Sequence, residues 1–132
     1  MSKPLLIPIF YTMCIFGLSS IPGNSPVDSI ISYHISPSLQ NLFHIPEFGI
    51  LAFLWMWVFY KNKSSFLRAT LYVLIICLAC GFLNELYQLI IPGRYASLSD
   101  SILDFVGILL GIAVYSSFTR IPILTRKLNK HN

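Results

Sequence analysis

The polar residues of this chain are few, and their types and spacing suit proton transfer or ligand binding. His44 and Glu47 are three residues apart, Asn84 and Glu85 precede Gln88 by four and three, and Asp100 and Asp104 are four apart. Residues three or four apart share one face of a helix, so each set can project into a common site. His44 could serve as a general base or a metal ligand, and Glu47 or Glu85 as a paired acid/base. Carboxylates forced together drive their proton affinities apart, which suits acid–base chemistry. His44, Glu47, Glu85 and Asp100 are therefore the candidates for catalysis. With Asp104 they also offer nitrogen and oxygen donors of the kind metals take. Their spacing matches no HExxH pattern, and no GxSxG nucleophile elbow is present. Neither a metal site nor a cofactor is expected, and binding is favoured over catalysis. In the binding reading Arg94 grips an anionic group in two-pronged fashion. Glu85, Gln88, Asp100 and Asp104 then orient sugar or amide groups. The competing reading of Arg94 is an ion pair with Asp100 or Glu85 that only stabilises a turn.

These side chains must be positioned by elements that the composition makes unusual. The chain has 132 residues, of which 55% are hydrophobic and 11% charged, against about 25% charged in an average soluble domain. Its mean hydropathy is +0.71. A soluble fold this small needs far more polar surface, so composition excludes a soluble globular domain, a disordered chain and a collagen-like repeat. The expected architecture is all-α: one membrane domain, residues 1–132, forming a bundle of four transmembrane helices at about 5–21, 42–60, 66–91 and 102–118. Each run is at or near the ~17–25 residues that a span needs. The first lacks a clear A-x-A cleavage site and reads as a span, not as a removed signal peptide.

Basic residues fix the expected orientation. The formal net charge is +4, and the basic residues lie in short tracts between apolar runs, which argues against nucleic acid as a partner. Lys3 precedes the first run; Lys61, Lys63 and Arg68 separate the second and third; Arg120, Arg126, Lys127 and Lys130 follow the fourth. With both termini cytoplasmic, only Arg94 is left outside, as the positive-inside rule favours. The expectation is a multi-pass plasma-membrane protein whose outer loops are 22–41 and 92–101. Val27 to Ile35 in the first loop is expected to form a short helix on the membrane surface.

On this topology Asp28, Glu47, Glu85, Asp100, Asp104, Arg94, His34 and His44 all fall in the outer half. Ionised groups inside a membrane are costly and normally face the bundle interior, where they pair with one another. A polar network that only fixes helix register is a further reading, but the number of groups exceeds that need. A transporter is disfavoured because the inner half offers no polar path. Gly107 and Gly111 continue the stripe of Asp100 and Asp104 and form a small-xxx-small pattern, expected to pack closely on a neighbouring helix. Pro92-Gly93 ends the third helix sharply, and Ser97 with Asp100 resembles a capped helix start. Cys77 and Cys80 have CxxC spacing, but within an apolar run they read, with Cys14, as packing residues. Trp55 and Trp57 read as packing or lipid-facing residues, or as walls for an acyl tail. His131 reads as a solvated tail residue.

The run Asn84-Glu85-x-x-Gln88-x-x-x-Pro92-Gly93-Arg94-x-x-Ser97-x-x-Asp100-x-x-x-Asp104-x-x-Gly107-x-x-x-Gly111 resembles the signature of VanZ-like membrane proteins. His44-x-x-Glu47-Phe48-x-x-Leu51 is similar to that family's second motif. The resemblance covers roughly residues 40–115. Two positions depart from it: Asp104 stands where the family usually has Asn, and Asn41 where a Lys is common. Both make the outer edge more acidic. The resemblance implies a membrane protein whose name-giving relative is associated with resistance to the glycopeptide antibiotic teicoplanin, and no firmly attached reaction. Fold does not transfer function. The expected partners are membrane lipids and a lipid-linked envelope precursor or lipoglycopeptide bound at the outer face. The alternative is an intramembrane enzyme using His44, Glu47, Glu85 and Asp100 at the outer leaflet.

Overall fold

A computed structural model describes residues 3–62 and 64–128, and within them the side chains of residues 3, 31, 32, 37, 38 and 120–128 are not described. The regular elements of the described chain are all helices: α1 (Lys3–Ser19), α2 (Pro26–His34), α3 (Pro37–Leu42), α4 (His44–Lys61), α5 (Phe66–Gln88) and α6 (Leu98–Leu128). Three stretches, Leu39–Lys61, Phe66–Gln88 and Leu98–Thr119, are long and apolar enough to cross a membrane. The 23 residues of Phe66–Gln88 rise ~35 Å, enough for a ~30 Å hydrocarbon layer. The apolar stretch of α1, Pro4–Ser19, is shorter. The protein is thus an all-helical bundle suited to a membrane. Its outer surface agrees with lipid as solvent: Phe10, Leu67, Ile75, Phe82 and Phe118 each lie more than 60% exposed, a density of apolar surface that water does not favour.

Helix ends follow from local chemistry and shift several expected boundaries. The third helix stops at Gln88, short of the expected residue 91, and tightens into turns in which Ile90 N–H bonds Tyr87 O and Ile91 N–H bonds Gln88 O. Pro92, which carries no N–H, follows. The last helix starts at Leu98, earlier than the expected 102, because Asp100 and Ser101 N–H groups already bond Ser97 O. It also runs past the expected 118, to Leu128. Helix α2 matches the bounds of the short helix expected at Val27 to Ile35 within a residue at each end. A further short helix, α3, leads almost directly into α4 through Phe43, whose backbone is helical; Pro37 at its first turn has the φ a helix start requires. Lys63, Lys130 and His131 lie outside the described residues.

The core forms where α4 packs on α6 and α5, with α1 against α4 and α5. Phe48, Leu51, Ala52, Met56, Ala69, Val73, Cys77 and Ile108 are fully buried there. Cys77 belongs to this core and Cys80 packs against it, as expected, whereas Cys14 is exposed at the surface of α1 and is not the packing residue expected. Glycine sets the closeness of α4 and α6. A Cβ on Gly107 would collide with the backbone of Ile45, and one on Gly111 with the carbonyl of Gly49. The expected packing role of Gly107 and Gly111 is met, and Gly49 is their counterpart on α4.

A second close approach holds the outer connections together. Gly23 N–H bonds Pro92 O at 3.0 Å. Gly93 has φ +74° and its carbonyl occupies the space a Cβ on Gly23 would need. Gly93→Ala would force a left-handed backbone on a residue with a side chain, at about 1–2 kcal/mol. Thermal unfolding of the purified variant should show that loss, and Gly17→Ala, in open space, should show little.

Candidate functional site

Three helix ends bring the polar residues together. His44 begins α4, Asp100 and Asp104 occupy the first two turns of α6, and Glu85 lies in the last turn of α5. The α4–α6 glycine contact brings His44 against the acids of α6. Its Nδ1 donates to Asp104 Oδ1 at 2.8 Å, and its Nε2 lies 4.0 Å from Asp100 Oδ2. The imidazole is therefore held between two carboxylates, with Phe48 stacked one turn below it. Glu47 is half-buried and close enough to feel the charges of His44 and Asp104.

Glu85 has a partner that its sequence position does not reveal. Its Oε2 accepts the N–H of Ser97 at 2.7 Å. That N–H sits just before the first turn of α6, where a helix start leaves donors unsatisfied. A carboxylate there also faces the positive end of the helix dipole. The expected Ser97–Asp100 capping box thus takes a different form. The reach-back carboxylate comes from α5, and the Ser97 hydroxyl pairs with Ser99. Glu85 also lies within electrostatic reach of Asp100, Asp104 and His44.

Arg94 does not make either expected ion pair. Its Nε donates to Ile21 O at 3.0 Å, and its terminal nitrogen lies 3.6 Å from Asp28 Oδ1. The guanidinium therefore ties the α5–α6 turn to the α1–α2 connection, beside the Gly23–Gly93 contact. The reason is topological: the turn at Pro92 directs the chain toward residues 20–28, away from the start of α6. His34 lies apart as well, exposed at the end of α2 with its ring on Ile30 O.

Burial separates this cluster from ordinary surface charge. Asn84 is 1% exposed, Asp104 2%, Glu85 6%, and Gln88 and Asp100 7% each. Asn84 Oδ1, Glu85 Oε1, Asp100 Oδ1 and Asp104 Oδ2 are buried with no hydrogen-bond partner among the described residues. Buried polar groups are nearly always paired, and an unpaired one calls for an explanation. Gly81 makes room for this arrangement: a Cβ on it would lie 2.9 Å from Asp104 Oδ2. Its signal in the sequence is a glycine on the stripe of Cys77, Asn84 and Gln88, spacings of a single helix face. No three His, Cys, Asp or Glu side chains among the described residues converge to hold a metal ion. Trp55 and Trp57 stand far along α4, where Trp55 stacks on Phe59 and Trp57 meets Lys61.

A family model described as VanZ/LLP1 matches residues 5–120. No curated protein and no solved structure matches the chain.

Proposed function

We propose, for a chain that belongs to the VanZ/LLP1 family, that this cluster binds a membrane amphiphile at the extracytoplasmic face of the plasma membrane. The observation that carries the reading is the burial of Asn84, Glu85, Asp100 and Asp104 around His44 at one end of an otherwise apolar bundle. A bilayer penalises such groups unless function retains them. In this reading α1 also spans, both termini are cytoplasmic, and the basic tracts anchor the inner face. Glu85, Gln88, Asp100 and Asp104 contact the head group. Arg94 holds the outer connections in place and, 30% exposed along its side chain, can still meet an anionic group at the rim. The candidate ligands are a lipid-linked envelope precursor or a lipoglycopeptide, which links the chain to teicoplanin susceptibility.

A second reading rests on the 2.8 Å contact between His44 and Asp104. A carboxylate on one ring nitrogen orients an imidazole for proton transfer through the other. Here the other nitrogen faces Asp100. An intramembrane enzyme would use that pair with Glu47 and Glu85 on a substrate of the outer leaflet.

Single substitutions test both readings. Asp104→Leu and Glu85→Leu, confirmed to insert and fold, should change teicoplanin susceptibility or the envelope lipid profile of the host. Loss of one such contact lowers affinity about tenfold, the equivalent of ~1.4 kcal/mol. Unchanged sensitivity and unchanged lipids would remove both readings. Orientation is checked by Asn24→Cys and Ala96→Cys in a chain lacking its native cysteines. Both should react with an impermeant maleimide added outside intact cells, and labelling only after lysis would invert the topology.

A further inference from the structure

The unpartnered oxygens define what kind of group the cluster would take. Asn84 Oδ1, Glu85 Oε1, Asp100 Oδ1 and Asp104 Oδ2 are all acceptors, each on a buried residue. Asn84 is uncharged and shares the inward stripe of α5 with Cys77, Gly81 and Gln88, all buried. Its orphan carbonyl is therefore an observation separate from the acids. Among the described residues the cation within 4.0 Å of Asp100 and Asp104 is His44, if protonated. Arg94 is engaged by Ile21 and Asp28. An anionic head group would meet unpartnered acceptor oxygens of three acids there, whereas a donor-rich cation would satisfy them.

Access to Asp104, the one of these four residues that lines a cleft here, runs sideways. A cleft of about 180 Å³ between α5 and α6 is lined by Cys77, Leu78, Gly81, Phe82, Ser101 and Asp104. Phe82 is 65% exposed and Leu78 43%, so the cleft opens on the lipid-facing surface, within the bilayer plane. Its volume equals that of about six liquid waters at ~30 Å³ each, room for a head-group nitrogen and a few methylenes. Gly81 keeps Asp104 at its inner wall.

We propose that this cleft admits the primary ammonium group of a bilayer amphiphile and delivers it to Asn84, Glu85, Asp100 and Asp104. An ammonium carries three N–H donors and one positive charge, and charge-assisted hydrogen bonds to carboxylates are the strong kind. The methylenes next to the nitrogen lie along Leu78 and Phe82. This inference rests on the cluster being an amphiphile site and adds the chemistry of the head group and its route.

The test uses the full chain in phosphatidylcholine nanodiscs, titrated calorimetrically with dodecylamine, dodecyltrimethylammonium and dodecyl phosphate against protein-free nanodiscs. Dodecylamine should bind saturably, at least about tenfold tighter than the trimethylammonium probe, which has the charge without the donors. Asp104→Leu should abolish that preference. Ser101→Leu, which fills the cleft from α6, should weaken dodecylamine about tenfold or more. Gly81→Ala, which narrows it from α5, should act in the same direction. Equal binding of the two cationic probes would overturn the three-donor assignment. Tighter binding of dodecyl phosphate, lost in Asp104→Leu, would overturn the ammonium assignment while leaving the amphiphile site standing. Wild-type affinity in both folded cleft variants would overturn the lateral route. No saturable binding of any probe would overturn this inference, and lipoglycopeptide or lipid phenotypes of Asp104→Leu would then decide the broader reading separately.

Discussion

Leucine at both Gly107 and Gly111 will leave little folded protein. Each glycine lies against α4 backbone, Gly107 on Ile45 and Gly111 on the Gly49 carbonyl, with Ala52 Cβ only 3.1 Å from a Cβ placed on Gly111. Backbone cannot rotate away as a flexible side chain can, so α6 must retreat from α4. Overpacking a single site typically costs about 1–3 kcal/mol, and two sites on one seam couple. The retreat would also pull Asp104 from His44, because the same interface sets both contacts. Thermal unfolding in mild detergent, followed by near-ultraviolet circular dichroism, should show a large fall in midpoint or no folded baseline. Gly17→Leu is the control, since nothing lies within 4 Å of a Cβ there.

His44→Ala carries the second large effect. It removes the hydrogen bond to Asp104 and, where His44 is protonated, the positive charge held between Asp100 and Asp104. Removing one partner of a buried pair typically costs about 3–5 kcal/mol, much of it from the charge left behind. Asp104→Leu should also destabilise, and the double variant His44→Ala with Asp104→Leu should lose clearly less than the sum of the two. Asp104→Asn should lose less than His44→Ala, because an amide oxygen can still accept from Nδ1. A double-mutant cycle on thermal stability reads the coupling. Strict additivity would mean that the 2.8 Å contact contributes nothing.

Much of the arrangement was legible in the sequence because helical spacing is a strong constraint. The i, i+4 pair Asp100–Asp104 and its continuation to Gly107 and Gly111 already put acids and close packing on one stripe of one helix. Which helix that stripe meets was not legible: the structure shows it against the start of α4, which puts His44 beside Asp104. Arg94 was not legible in this way. It sits in a turn, where no periodicity fixes direction, and Pro92 with the left-handed Gly93 turns it toward Ile21 and Asp28. Helical spacing puts Glu85 on the inward face with Gln88, but its partner is a main-chain N–H, which leaves no trace in side-chain patterns. Gly81 carries little signal of its own, because a lone glycine in an apolar helix is common. Its role appears only once Asp104 of another helix stands against it. The helix ends moved for a related reason: Pro92 and Ser97 act through the backbone bonds they withhold or accept.

At stake is the proposed binding of an amphiphile at the buried cluster. Photocrosslinking tests this directly, with a diazirine placed on the third methylene of a long-chain primary amine and the adducts mapped by mass spectrometry in native membranes. The expected result is saturable labelling concentrated on Leu78, Phe82 and Ser101, competed by unlabelled amine and lost in Asp104→Leu. Labelling spread over outward residues such as Leu6, Phe10 and Met13, unchanged by competitor or by Asp104→Leu, would contradict it.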